Sequence, residues 1–143
     1  MARFLYECTK PVTTNDALRN PVVKLLTGHK WLALRRATMA VGVIMAGIIC
    51  RVIPNAKTPD MHYCLRMVSA DDRGKKQHPI AGFTVLFYSM RPSSRGHVLI
   101  ISKDTHEPPV IQPNYLRTNY DRNVLINGAK MALRLARTAA MSD

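Results

Sequence analysis

Three side chains that can bind ligands or exchange protons occupy alternate positions after Thr58-Pro59-Asp60, namely His62, Cys64 and Arg66. We predict a strand from Met61 to Val68, in which successive side chains point to opposite faces. His62, Cys64 and Arg66 then share one face, and the apolar residues between them share the other. We expect the polar face to line a polar cavity.

A second group of reactive side chains lies in the sequence from Arg91 to Arg95, which contains Ser93 and Ser94. Neither serine lies in the G-x-S-x-G elbow of a nucleophilic enzyme, so we expect them to form turn hydrogen bonds. We expect Arg91 and Arg95 to anchor the same turn to backbone carbonyls or to a carboxylate, because the arginine fork suits both.

Metal chemistry is not indicated by the remaining histidines and the cysteines. The three cysteines are an odd number without C-x-x-C spacing, which predicts neither a disulfide framework nor a zinc site. The histidine spacings match no metal template. We therefore predict a reduced, cytoplasmic protein without a metal site. These residues are His29, His78, His97 and His106, with Cys8, Cys50 and Cys64.

The strands that position these residues are predicted from alternation and from prolines. The run from Phe83 to Met90 is apolar on both faces, which predicts a central strand. After a turn, Gly96 can adopt a positive φ, and the chain re-enters a strand from His97 to Ser102, giving an antiparallel pair. Pro108, Pro109 and Pro113 remove backbone donors, so that segment is extended but not central.

Two helices are predicted from capping signals and apolar spacing. Asn20 before Pro21 is typical of a helix start, and we expect that helix to run to about Arg36. Thr118 with Asp121 resembles a capping box at the start of an amphipathic helix packed on the sheet. The uncharged run from Ala37 to Cys50 is too short for a membrane helix, and we expect a buried segment beside the sheet. The fold class is α+β, an antiparallel or mixed sheet with helices on one face.

The chain has 143 residues and a formal net charge of +12. Its basic clusters are separated by apolar stretches without interleaved aromatic residues, which argues for solvated faces, or a surface that meets an acidic neighbouring domain, over nucleic-acid binding. The segment Asp71 to Lys76 is predicted to be a solvent-facing loop. The N-terminal residues lack a secretory signal pattern.

Two segments, Met90-Arg91-Pro92-Ser93-Ser94-Arg95-Gly96 and Pro108 to Leu116, resemble the substrate-binding C-terminal part of the glucose-methanol-choline (GMC) flavin oxidoreductases. Tyr6 to Asn20 resembles the family's "PVTxNDxLR" turn, and the resemblance extends to about Ala140 in the family's order. It implies the substrate-binding sheet of an FAD-dependent enzyme that oxidises the CH–OH group of an alcohol, similar to choline or alcohol dehydrogenases.

The resemblance also implies site residues. In choline-oxidising relatives a histidine four residues beyond the aspartate of "PD" faces the substrate, and that position is Cys64 here; His62 lies two residues earlier. His62 and Cys64 are thus the candidate substrate-binding residues, with an ordinary core or surface role as the alternative. No catalytic residue is expected. In the family, the catalytic histidine lies in a segment beyond the helix that here ends at Asp143.

The sequence lacks the G-x-G-x-x-G turn that cradles the dinucleotide phosphates. We therefore expect residues 1–143 to be a single partial substrate-binding domain, without the FAD-binding Rossmann domain, inactive and flavin-free alone. Its expected partners are the missing FAD-binding domain, in the same enzyme or as a split partner chain, and a small alcohol, without a membrane. Two alternatives remain: an accessory subunit docking on a separate flavin domain, and a basic nucleic-acid-binding module.

Overall fold

The computed structural model describes residues 1–10, 13–35, 42, 44–71 and 76–142. The chain divides into two compact units, one of Met1–Cys50 and His62–Tyr88, the other of Arg51–Met61 and Ser89–Asp143. Helices and antiparallel strand pairs make up both, which confirms the predicted α+β class. The strands are β1 Ala2–Glu7, β2 Ala46–Cys50, β3 Met61–Arg66, β4 Ala70–Asp71, β5 Lys76–Gln77, β6 Gly82–Ser89, β7 His97–Leu99 and β8 Val110–Gln112, and the helices are α1 Thr14–Arg19, α2 Pro21–Leu34, α3 Asn119–Ala136 and α4 Ala139–Ser142.

A four-stranded sheet with the order β1-β6-β3-β2 is the main sheet of the chain. β6 lies between β1 and β3, which confirms that it is a central strand. β1 pairs with it antiparallel, Ala2 opposite Phe87 and Glu7 opposite Gly82. Aromatic rings on one face form the core, because Phe87 contacts both Phe4 and Tyr63 with ring centroids 5.3 and 5.9 Å apart. Phe87 is 1% exposed and Tyr63 is 2% exposed.

β3 ends at Arg66, two residues before the predicted end at Val68. The prediction of a buried segment from Ala37 to Cys50 is wrong for the described part of that run. There β2 is the edge strand of the sheet, and Ile48 and Ile49 are exposed. An edge strand has a neighbour on one side only, so an uncharged sequence does not guarantee burial. Residues 36–41 and 43 of the predicted segments lie outside the described residues.

The predicted antiparallel pair between the strand at Phe83–Met90 and that at His97–Ser102 is wrong. β7 is shorter than predicted and pairs antiparallel with β8, His97 opposite Gln112 and Leu99 opposite Val110. Both edges of β6 are already occupied by β1 and β3, so no ladder of backbone groups remains for β7. The proline-flanked segment lies in this two-stranded sheet, as expected of a non-central strand.

Gly96 is required at its position by the close approach of two backbones. The prediction of a positive φ at Gly96 is wrong, since its φ lies outside the left-handed region. A Cβ atom there would overlap the carbonyl oxygen of Gln112 and the backbone of Pro113. The glycine therefore permits β7 and the segment after β8 to lie side by side.

Both predicted helix starts are confirmed. The Asn20 side chain accepts hydrogen bonds from the Val22 and Val23 N–H groups at 2.9 and 3.4 Å at the start of α2, which ends at Leu34 before Arg35 in the left-handed conformation. Thr118 accepts from the Asp121 N–H at 3.2 Å at the start of α3. α3 has a buried stripe of Asp121, Val124, Gly128 and Ala132.

Two short strands, β4 and β5, pair antiparallel on either side of residues 72–75. The predicted solvent-facing loop from Asp71 to Lys76 therefore lies largely outside the described residues. No helix among the described residues is long and apolar enough to cross a membrane.

Candidate functional site

His62 is held between its own strand and β6. Its Nδ1 lies 2.6 Å from the hydroxyl oxygen of Tyr88, and the two rings meet edge to face with centroids 5.1 Å apart. The strand order brings these residues together, because β3 is the neighbour of β6. One ring nitrogen of His62 is thus engaged by Tyr88.

Cys64 lies beside that second nitrogen, with its Sγ 3.6 Å from His62 Nε2. This contact confirms that the two side chains share a face of β3. Cys64 is 4% exposed and His62 is half-buried. Gly47 on β2 lies next to the imidazole, since a Cβ atom there would be 3.3 Å from Nε2. Both ring nitrogens of His62 therefore have a partner within the chain, and the role of this site in substrate binding stays a prediction.

A cleft of about 490 Å³ opens on the first unit, and Arg66 is one of its walls. Of the polar face of β3, Arg66 lines this cleft and His62 and Cys64 do not, and the cleft is lined mainly by apolar groups, so a polar cavity on that face stays a prediction. The Nε atom of Arg66 is buried and has no hydrogen-bond partner. Other residues that line the cleft are Arg3, Val68, Ala70, Thr84 and Leu86.

Arg3 and Thr84, which line the cleft, each already have hydrogen-bond partners within the chain. Arg3 donates to the Asp71 carboxylate and to the Ala70 carbonyl, each at 2.9 Å. The Thr84 hydroxyl donates to the Val68 carbonyl at 2.7 Å. Hydrogen bonding to His78 is the main cause that holds the pKa of Asp71 below its usual range, and Arg3 acts in the same direction. The carboxylate of Asp71 is thus engaged on two sides.

A buried amide, Asn15, organises the chain next to this cluster. Its Nδ2 donates to the Ser69 carbonyl at 2.8 Å and to the His78 carbonyl at 2.9 Å, and its Oδ1 accepts from the Ser69 N–H at 3.2 Å. His78 in turn contacts Asp71 at 2.9 Å. The arrangement is structural, and although Asn15 is the asparagine of the "PVTxNDxLR" turn, its partners Ser69 and His78 could not be predicted because they lie 54 and 63 residues away along the chain. No three His, Cys, Asp or Glu side chains converge on a metal position within the described ranges.

In the second unit, a buried carboxylate gathers the Arg91–Arg95 turn. Asp121 accepts from the Ser93 N–H at 2.7 Å, the Ser93 hydroxyl at 3.0 Å and the Ser94 N–H at 2.8 Å, and the Ser94 hydroxyl donates to it as well. The predicted turn hydrogen bonding of Ser93 and Ser94 is confirmed. Arg95 anchors the turn as predicted, donating to the Pro92 and Ser94 carbonyls at 2.9 and 3.0 Å.

The pKa of Asp121 reflects two opposed effects. Burial raises the pKa of this carboxyl, but the hydrogen bonds from Ser94 and Ser93 outweigh burial and hold the pKa far below its usual range. The Asp121 side chain is therefore a permanent anion at neutral pH. All its hydrogen bonds are made within the chain, so the cluster acts as a structural clamp.

A cradle for a dinucleotide phosphate needs glycines whose missing side chains leave room for a ligand. At Gly82, Gly96 and Gly128 a Cβ atom would overlap the chain itself, at Ser69, at Gln112 and at Met61 respectively. These three glycines are therefore required by packing within the chain, and the expectation that the chain alone is free of flavin stays a prediction.

Known proteins resemble this chain in sequence and in fold. A sequence profile of the family described as GMC oxidoreductase matches residues 92–143. The mitochondrial choline dehydrogenase of Mus musculus is 28% identical over 130 residues, covering 91% of this chain and 21% of that protein. The oxygen-dependent choline dehydrogenase of Vibrio vulnificus is 32% identical over 119 residues, covering 83% of this chain and 21% of that protein. The chain thus spans about a fifth of the length of these curated relatives.

The fold is shared with a solved structure, the pyridoxine 4-oxidase from Mesorbium loti. It aligns with a TM-score of 0.58 and 18% sequence identity, and the alignment covers 68% of this chain and 20% of that chain. At this identity the likeness concerns the fold alone.

Proposed function

Because the chain is related to the C-terminal region of the GMC oxidoreductases, we propose that it supplies the substrate-binding sheet of an FAD-dependent enzyme that oxidises the CH–OH group of an alcohol. The observation that supports this most directly is the grouping of His62, Cys64 and Tyr88. Cys64 occupies the position that faces the substrate in the choline-oxidising relatives it resembles, and His62 lies beside it.

His62 orients the alcohol in this proposal. Tyr88 holds the imidazole at Nδ1, and Nε2 would exchange its contact with the Cys64 thiol for one with the substrate hydroxyl. FAD would supply the hydride acceptor in such an enzyme, and in this proposal it would be held by the FAD-binding domain of the enzyme. The residues described here bind and orient the substrate.

A chimaeric enzyme tests the proposal. The segment of the Vibrio vulnificus choline dehydrogenase that aligns with this chain is replaced by it, and alcohol-dependent reduction of a dye is measured over a panel of small alcohols. We expect FAD absorbance near ~450 nm, a general property of flavins, and turnover of at least one alcohol. Turnover should fall ~10²-fold with His62→Ala if this side chain positions the substrate.

Matched variants decide the interpretation. His106→Ala, in an exposed loop of the same chain, should leave turnover unchanged. A chimaera that holds FAD but oxidises no alcohol, or one in which both histidine variants behave alike, would contradict the substrate-binding role.

The second candidate, an accessory subunit that docks on a separate flavin domain, is favoured by helix α2. Although α2 is rich in apolar residues, Thr27 is its only buried residue among those described, and Leu25 is 75% exposed. Exposed apolar surface of this kind marks a protein contact. The exposed apolar residues are Val22, Val23, Leu25, Leu26, Leu32 and Leu34.

Co-purification distinguishes this candidate. The chain is expressed with the flavin-binding part of the same choline dehydrogenase as a separate polypeptide. If the chain is an accessory subunit, the two polypeptides elute together, and Leu25→Gln with Leu26→Gln separates them. Exposed Leu133→Gln with Ile126→Gln on α3 serves as the control. Independent elution of the unmodified polypeptides would contradict docking.

A further inference from the structure

We propose that the cleft at Arg66 is a binding site for a small amphipathic anion, namely a carboxylate with an aliphatic body. The proposal does not rest on the proposed function, since His62 and Cys64 are not among the residues that line the cleft. It starts from Arg66, which lines the cleft, forms no ion pair among the described residues and has a buried Nε without a hydrogen-bond partner, so that a ligand in the cleft would meet its terminal N–H groups. A buried donor without a partner is unfavourable and is rare in folded proteins.

The ligand must be an anion because of the donors at the cleft wall. A guanidinium is charged at every accessible pH and presents several N–H groups in a fork that matches a carboxylate. Among the described residues, no carboxylate forms an ion pair with Arg66, whereas Arg3 is already paired with Asp71. Arg66 is therefore the guanidinium that remains for a ligand, and Met1, with its α-ammonium group, also lines the cleft.

The remaining walls define the rest of the ligand. Val68, Ala70 and Leu86 are apolar, and the Thr84 hydroxyl is engaged by the Val68 carbonyl. A ligand body in contact with these residues gains by being aliphatic. The volume of about 490 Å³ lies in the range of small-molecule sites. The fork of one uncommitted guanidinium matches the two oxygens of a carboxylate, and the apolar walls favour an aliphatic body over a second polar group.

The same charge disfavours a cationic ligand. A quaternary ammonium or an alkylammonium in this cleft would meet two guanidinium groups and only the carboxylate of Asp71, which both Arg3 and His78 already contact. The cleft therefore selects ligands by charge, with the anion preferred.

Titration of the intact 143-residue chain with octanoate tests the proposal. The ¹⁵N resonances of the arginine side chains are followed by NMR, with octan-1-ol and octylammonium as probes of equal length. We expect saturable binding of octanoate with a shift of the Arg66 Nε–H resonance, and at least ~10-fold weaker binding of the other two probes. That ratio corresponds to one charge-assisted hydrogen bond.

Variants locate the site. Arg66→Gln should weaken octanoate binding at least ~10-fold. Arg66→Lys should weaken it less, because lysine keeps the charge but lacks the guanidinium fork. Arg117→Gln changes an exposed arginine of the second unit and should leave octanoate binding unchanged. Circular dichroism verifies folding, and if Arg66→Gln fails to fold, the Arg66 resonance of the unmodified chain decides. Octan-1-ol bound as tightly as octanoate, an unmoved Arg66 resonance, or equal affinities of the Arg66→Gln and Arg117→Gln chains would overturn the proposal.

Discussion

Asp121 and Arg66 are two charged side chains with buried polar atoms, and their surroundings differ. The Asp121 carboxylate accepts four hydrogen bonds from Ser93 and Ser94, whereas the Nε of Arg66 has none. A charge whose hydrogen bonds are all made internally holds the chain in one conformation, whereas a guanidinium without an ion-pair partner can still pair with an anion. The difference separates a structural polar group from a candidate binding group without reference to any relative.

The largest expected effect comes from removing the saturated carboxylate. Asp121→Ala removes the buried acceptor of four hydrogen bonds from Ser93 and Ser94, so we expect the free energy of unfolding to fall by about 3 kcal/mol. Urea denaturation followed by circular dichroism measures the change. Glu107→Ala, at an exposed position, is the control and should change stability by less than about 0.5 kcal/mol. Equal stability of the two variants would break the comparison.

Acidification should reproduce part of that effect. The pKa of Asp121 in the folded chain lies below its unfolded value of about 3.9, so its stabilisation is present above that pH and is lost as the pH falls through the folded pKa. The unmodified chain should lose stability between about pH 5 and pH 2.

Denaturation of Asp121→Asn over the same pH range gives the matched measurement. The slope should flatten but not vanish, because Asp71 also has a lowered pKa and acts in the same direction. An unchanged slope in the variant would show that Asp121 is not the group that titrates.

A smaller effect is expected at Tyr88, whose bond to His62 is partly buried. Tyr88→Phe removes the hydroxyl at 2.6 Å from Nδ1 and should cost about 1 kcal/mol. The ¹⁵N chemical shifts of His62 should also change, because the tautomer is no longer fixed at Nδ1. Tyr115→Phe, at a residue that is 83% exposed, is the control, and unaltered His62 shifts in Tyr88→Phe would refute the positioning role.

The smallest expected effect on stability is at Arg66, and its expected sign is opposite to that at Asp121. Arg66→Met removes a buried donor that lacks a partner and keeps an aliphatic side chain of similar length, so stability should stay within about 0.5 kcal/mol of the unmodified chain or rise. Thermal denaturation without added ligand measures it. A loss as large as that of Asp121→Ala would show that Arg66 is structural.

Local features were predictable from the sequence, and strand partners were not. Asn20 and Thr118 mark their helix starts because a cap depends on residues two or three positions away. The central position of β6 followed from its two apolar faces. The partner of β7 did not follow, because pairing depends on which edges other strands have already occupied.

The candidate site shows the same limit. Alternation placed His62, Cys64 and Arg66 on one face of β3, and the 3.6 Å contact of the first two agrees. Tyr88 was missed because its proximity to His62 depends on the neighbouring strand in the sheet. The reason for Gly96 was also missed, since a close approach to Gln112 and Pro113 cannot be read from the turn itself. Periodicity gives the face of a residue, and the tertiary fold gives its partners.

The pairing of β1 with β6 has a consequence for the order of folding during synthesis. Ala2 pairs with Phe87, so the first strand is made long before its partner leaves the ribosome. At typical translation rates the delay is on the order of ten seconds, far longer than hairpin formation takes. β1 therefore passes through an interval without its ladder, and the four-stranded sheet closes only after β6 emerges. A nascent chain stalled before Phe87 would expose an unpaired strand edge. In that state, chaperone binding or misassembly competes with folding.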